Sequence, residues 1–247
     1  MSGAPVRWVL AAALAAGAAA AATQAPRLLR GMELFRVQRV EVVGTRHLAP
    51  HAALAATGIT RASSVFDDPA AWRGALLRHP LVADARIERR LPGGVVVSIR
   101  ETEPVALALT PELRPVDGRG RLLPIDLAAG SLDLPVLLVA SGVGADGRLA
   151  DPAALALLAG YDRLRRLDPG LATRVSEIHP ASGGLRLSLR RPAGGEALVP
   201  ADAGPLQLRQ LELALADLSA RGELERLRRV DARFRDQIVV SLNRQES

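Results

Sequence analysis

The residues best spaced for chemistry form a glycine-rich loop. Ser141-Gly142-Val143-Gly144-Ala145-Asp146-Gly147 carries the spacing G-x-G-x-x-G, which in dinucleotide folds brings backbone N–H groups to a pyrophosphate at a helix N-terminus. In those folds the helix begins inside the loop. Here the helix-start residues Asp151 and Pro152 come only after Arg148-Leu149-Ala150, and broken strands rather than a βαβ series precede the glycines. A plain loop is the better reading. A nucleotide-binding enzyme using Gly142, Gly144 and Gly147 is the alternative from another functional class.

The histidines are His47, His51, His79 and His179. His47 and His51 are four apart, but Pro50 between them breaks a continuous helical metal face. No glutamate follows in the zinc-hydrolase pattern, and no third ligand stands out. No serine sits in a G-x-S-x-G elbow, and no S-x-x-K occurs. Asp67-Asp68 suggests a carboxylate pair, yet Asp68 fits better as a helix N-cap. The chain has no cysteine, which removes disulfides, thiolate nucleophiles and cysteine-based metal sites. The expectation is a binding protein with no catalytic, cofactor or metal site.

With 247 residues, 49% of them apolar, the chain has material for one or two domains. The formal net charge is +6, which would ordinarily suggest nucleic acid. Every basic residue is an arginine, however, and the arginines alternate with acids, as between Arg221 and Asp231. Aromatics make up only 2%, too few for a base-stacking surface. Nucleic acid is not an expected partner.

These side chains must be positioned by regular elements. From Trp8 to Ala25 no charge interrupts the sequence, with Arg7 and Arg27 at its flanks. At about 1.5 Å per residue the run just crosses a hydrocarbon core of about 30 Å. A transmembrane helix, a cleaved signal with small residues near Ala20 to Thr23, and an alanine-rich soluble helix compete; the lack of a polar stripe counts against the last. Arginine counting opposes an N-terminus-inside orientation, since Arg7 faces Arg27, Arg30, Arg36 and Arg39 across the run.

Beyond the run, residues 35–44 read as a strand closed by Gly44, and residues 50–57 as a short helix. Asp68 and Pro69 open a second helix with Trp72, Ala75, Leu76 and His79 on one face, stopped by Pro80. Ala83, Ala85, Ile87 and Leu91 then alternate with charged residues, Pro92-Gly93-Gly94 turns the chain, and Val95, Val97 and Ile99 share one face of a return strand. This strand-helix-helix-strand-strand unit makes a small α+β domain.

After Pro104 short strands are broken by Pro and Gly. Asp151-Pro152 opens a helix with Ala154, Leu157, Leu158, Tyr161 and Leu164 inward, and residues 175–178 read as a strand. Leu185, Leu187 and Leu189 alternate along another. A third long helix places Leu208, Leu211, Leu215 and Leu218 on one face. The chain closes with Val230, Ala232 and Phe234, a turn near Arg235-Asp236-Gln237, then Ile238, Val240 and Leu242: a hairpin whose last strand could be a free sheet edge.

Residues 34–48 (LFRVQRVEVVGTRHL), the step Gly58-Ile59, residues 76–107 and the later VDGRGRLLPID at 116–126 resemble the FtsQ/DivIB bacterial division proteins. The most specific piece runs from Arg90 to Ala106, where a strand ends in an acidic residue before Pro-Val. Val230-Asp231-Ala232-Arg233-Phe234 is similar to that family's closing Asp-x-Arg-aromatic strand. The resemblance implies a single-pass inner-membrane protein at the division septum with a cytoplasmic N-terminus and its bulk periplasmic or otherwise extracytoplasmic. Its parts would be a short tail (1–7), a transmembrane anchor (8–26), a POTRA domain (35–104) and a mainly antiparallel β domain with two or more helices (105–243). It implies a non-catalytic scaffold that recruits and holds division proteins of the FtsB/FtsL type through the C-terminal edge, and further division proteins through the POTRA domain. Arg233, Phe234, Asp236, Ile238, Val239 and Val240 are then the expected contact residues. The sequence departs from the family pattern at Ser241-Leu242-Asn243, where an aromatic is common, and before the third long helix, at residues 199–204. A POTRA-bearing export or assembly protein is the runner-up, but those of the outer membrane carry a barrel for which this chain has no room.

Overall fold

The computed structural model describes residues 29–130, 132–234 and 236–244. The expected tail and anchor lie outside them; among the described residues no helix is long and apolar enough to cross a membrane. The chain divides into two units, with the boundary between Thr102 and Glu103.

The first unit runs β1 (Arg39–Val43), α1 (Pro50–Thr57), α2 (Pro69–Leu76), β2 (Val82–Arg90) and β3 (Gly94–Glu101). Its sheet has the order β1-β3-β2, with β1 parallel and β2 antiparallel to β3. Asp68 caps α2 by accepting from Ala70 N–H at 2.9 Å, and Pro69 occupies the first turn, where no N–H is needed. The apolar faces of the elements meet in a core of Val95, Val97, Ile99, Trp72, Leu76 and Ala53. Gly44 ends β1 at φ +85°, and a Cβ there would stand 2.2 Å from the Ile99 carbonyl oxygen. Only glycine fits both demands.

Three details differ from the sequence reading. Phe35 belongs to a short 3-10 turn (Glu33–Phe35) rather than to β1, because Val37 and Gln38 N–H bond out of the ladder to Ser63 and Gly93. Helix α2 ends at Leu76, before Pro80. In β2 the register shifts between Val82 and Asp84. This bulge turns Ala83 outward and buries Val82, so simple alternation holds only from Ala85 on.

The second unit contains β4 (Ala106–Leu109), β5 (Leu113–Val116), β6 (Val136–Leu137), α3 (Pro152–Leu167), α4 (Pro169–Thr173), β7 (Val175–Ala181), β8 (Gly184–Leu189), β9 (Glu196–Pro200), α5 (Pro205–Ala220), β10 (Leu227–Asp231) and β11 (Val239–Leu242). Its strands form one sheet in the order β11-β10-β9-β8-β7-β6-β4-β5. Four of its strand pairings are antiparallel, β4–β5, β7–β8, β8–β9 and β10–β11, and three are parallel, β4–β6, β6–β7 and β9–β10. The β6–β7 and β9–β10 pairings are parallel because α3 and α5 are crossovers, each returning the chain to run beside the strand it left, whereas β6 reaches β4 through β5 and the loop that follows it. Asp151 caps α3 through Ala153 N–H at 2.8 Å, and Gln207 reaches back to Gly204 N–H at 3.2 Å at the start of α5. Leu157, Leu158, Tyr161, Leu208, Leu211 and Leu215 lie in one core with Ile178, Leu185 and Leu187 from the sheet. Burial pushes the Tyr161 phenol up to about 12, and its hydroxyl donates to Ala172 O at 3.3 Å.

Candidate functional site

The C-terminal hairpin is built from the inside outward. Val230 and Ala232 are buried against the core, with Ile238 and Leu242 packed partly on it. Asp231 and Arg233 then form a forked ion pair: Arg233 Nε donates to Oδ1 at 2.9 Å and Nη2 to Oδ2 at 2.6 Å. The third guanidinium nitrogen, Nη1, donates to the Ser182 carbonyl at 2.8 Å in the turn between β7 and β8. The Arg233 side-chain hydrogen bond is the main reason that the Asp231 carboxyl sits below the usual carboxylate range. One arginine thus fastens the approach to the last turn onto a neighbouring turn of the sheet. Phe234 follows, 44% exposed, and Asp236 lies exposed beyond it.

Among the described residues β11 is the outermost strand of the sheet, paired with β10 alone. Its register opposes Asp231 to Val239, Val230 to Val240 and Arg229 to Ser241. Ala232 N–H donates to Leu198 O on β9 at 2.8 Å. Backbone groups alternate sides along a strand, so Val230 also points to β9 while Asp231 and Arg229 point to β11. Val239 and Ser241 therefore spend their backbone groups on β10, and those of Val240 and Leu242 face the open edge. Asn243 N–H to Arg226 O, at 2.8 Å, fits that phase. Val239 and Val240 are 43% and 37% exposed. A cleft of ≈540 Å³ beside the turn is lined by Arg233, Asp236, Leu206 and Gln207, among others.

A second polar group was not foreseen from the sequence. On the face of the sheet away from the core, His179 Nε2 lies 3.0 Å from Glu177 Oε2 and 3.2 Å from Ser188 Oγ. Arg186 Nη2 lies 3.3 Å from the other ring nitrogen, Nδ1. Glu196 bridges Arg186 and Arg229, at 3.2 Å each. A hydrolytic triad needs serine and carboxylate on opposite ring nitrogens. Here both compete for Nε2 and an arginine faces Nδ1, so this is a charge ladder along the sheet. The His179 hydrogen bond comes first, and the Ser188 bond second, in holding the Glu177 carboxyl below its usual value. The signal in the sequence is the polar half of the alternation in β8, which pairs Arg186 with His179 and Ser188 with Glu177.

The glycine loop closes on itself. Gly144 N–H bonds Arg148 O at 2.8 Å, Gly147 N–H bonds Gly144 O at 3.0 Å, and Ala150 N–H bonds Gly142 O at 3.0 Å. Amides used in this way are not available to a phosphate, and α3 starts only at Pro152. Among the described residues no group of three or more His, Asp or Glu could hold a metal ion. His47 and His51 are exposed, and His79 Nδ1 accepts from Leu81 N–H at 3.2 Å.

The β-α-α-β-β unit is a POTRA domain: residues 35–102 match the family model "POTRA domain, FtsQ-type". Over 211 residues the chain is 31% identical to Cell division protein FtsQ of Anaeromyxobacter sp. (strain K), covering 82% of this chain and 70% of that protein. It is 27% identical to Cell division protein FtsQ of Myxococcus fulvus over 207 residues, 81% of this chain and 71% of that protein. Over 149 residues it is 30% identical to Cell division protein DivIB of Geobacillus kaustophilus, covering 59% and 53%. The chain belongs to the FtsQ/DivIB family of cell division proteins.

Proposed function

We propose that this protein is a non-catalytic scaffold of the bacterial division machinery. The apolar run at 8–26 anchors it once in the inner membrane, the N-terminus stays in the cytoplasm, and both units lie outside it at the septum. It holds small division proteins of the FtsB/FtsL type by adding one of their strands to β11, and the POTRA domain takes further division partners. Arg233 positions the hairpin, Phe234 and Asp236 flank the entry, and Ile238, Val239 and Val240 carry the strand that is extended. The observation that supports this most is the outer edge of β11, unpaired among the described residues, with outward backbone groups on Val240 and Leu242. In strand addition the main chain supplies affinity and alternate side chains supply specificity.

The test is proline substitution along β11 in the full chain. Val240→Pro removes an outward donor and leaves the β10 ladder intact. It is expected to lose the capture of division partners from detergent-solubilised membranes while its thermal unfolding stays close to wild type. Val239→Pro removes a ladder donor and is expected to lower stability as well. Wild-type capture by a folded Val240→Pro protein would sink the edge model.

A further inference from the structure

The segment joining the apolar run to the first unit is held firmly. Leu29 and Arg30 are helical, and Phe35 N–H returns to Met32 O at 3.1 Å. Arg30 Nε donates to Phe66 O at 2.9 Å, and the Phe35 ring meets Phe66 edge-on with centroids 5.0 Å apart. Val65 N–H bonds Phe35 O at 2.9 Å, and Val37 N–H bonds Ser63 O at 2.8 Å. Arg89 fixes the same loop from β2 through Val65 O at 2.6 Å and Asp67 O at 3.1 Å. Phe35 is therefore turned onto the unit, yet Met32 and Leu34 beside it remain 48% and 56% exposed. Arg36 next to them and Arg61 on the receiving loop are exposed as well.

Seven Cα-to-Cα steps lead from Ala25, near the end of the uncharged run, to Met32. Fully extended they reach about 25 Å, and any helical turn within them shortens this. Met32 and Leu34 thus stay close to the bilayer surface, on a segment that cannot swing away from the unit it is bonded to. Apolar side chains with arginines on the same segment and on the loop that holds it suit the layer where acyl chains give way to anionic headgroups, and the exposed Glu33 between Met32 and Leu34 is outnumbered by Arg36 and Arg61.

We infer that Met32 and Leu34 insert into the headgroup layer of the anchoring membrane, with Arg36 and Arg61 toward lipid phosphates. The POTRA domain is then seated on lipid by a fixed face instead of hanging from a tether. This rests on the anchored reading above.

The absence of cysteine permits a clean test. Full-length Met32→Cys, Leu34→Cys and, as a control on the second unit, Leu213→Cys each carry an environment-sensitive fluorophore. They are reconstituted in phosphatidylethanolamine–phosphatidylglycerol vesicles with and without headgroup-nitroxide lipid. The labels at 32 and 34 are expected to show blue-shifted emission and to lose most of it to the nitroxide, whereas the label at 213 does neither. Protein that floats with the vesicles but shows water-like, unquenched emission at 32 and 34 overturns the inference alone. Protein that fails to float overturns the anchored reading and this inference with it.

Discussion

Among single residues, Glu101 shows how a side chain at the end of a strand organises a loop far away in sequence. Its carboxylate accepts from Arg46 N–H at 2.7 Å, Leu48 N–H at 2.9 Å and His47 N–H at 3.0 Å. Burial alone pushes this carboxyl up, and the backbone bonds from His47, Leu48 and Arg46 more than offset it, leaving the group below the usual glutamate range. A depressed folded value stabilises the fold above the unfolded pKa, and that contribution disappears as pH falls through the folded value. Glu101→Gln is therefore expected to cost roughly 1.5–3 kcal/mol at neutral pH, the range for bonds to a charged group. The gap to wild type should close as the pH drops below about 4.5, where the unfolded carboxyl takes up its proton first. Urea unfolding of both proteins from pH 7 to 3 checks this; a gap that does not change with pH would mean that the charge on Glu101 contributes nothing.

At the scale of elements, the C-terminal hairpin depends on Arg233. Because Arg233 ties Asp231 and the Ser182 carbonyl together, Arg233→Ala is expected to speed amide hydrogen exchange in β11 and weaken partner capture, leaving α5 protection unchanged. Arg233→Lys should not rescue it, since an ammonium cannot fork across two acceptor groups in the same plane. Rescue by lysine would show that charge suffices and that the fork is incidental. Much of this architecture could be read in the residues. Asp68-Pro69 and Asp151-Pro152 mark helix starts because a carboxylate and a missing N–H each suit a first turn. The buried stripe of α5 follows from its leucine spacing, and the hairpin from the apolar alternation around residues 230–242. Other features escaped because they depend on partners distant in sequence. β9 gave no signal of its own, since Ala197, Leu198 and Val199 are all enclosed and show no alternation. β6 is two residues long and exists only through β4 and β7. The bulge in β2, the outward phase of Val240 and the ladder around His179 are properties of pairing, which a single strand does not encode.

At the scale of the whole molecule, the proposed topology has to meet the arginine count. Arg7 stands alone before the apolar run, while Arg27, Arg30, Arg36 and Arg39 follow it. Counted simply, that bias would place the two units in the cytoplasm. The rule, however, describes short mobile loops, and long domains are translocated largely regardless of their charge. In the folded unit Arg30 is bonded to the Phe66 carbonyl and lies 3.9 Å from Asp67, so its charge is partly answered within the domain. The apolar run is also alanine-rich, with Trp8, Val9, Leu10 and Leu14 as its strongly apolar members. A reporter after Ser247 decides between the two orientations. Alkaline phosphatase fused there is expected to be active and green fluorescent protein dark, with Arg7→Glu shifting the balance toward the opposite pattern because it removes the only arginine on the N-terminal side. A bright green fusion of the unmodified chain would put the C-terminal edge in the cytoplasm, away from any extracytoplasmic strand donor, and strand addition at β11 would lose its partner class.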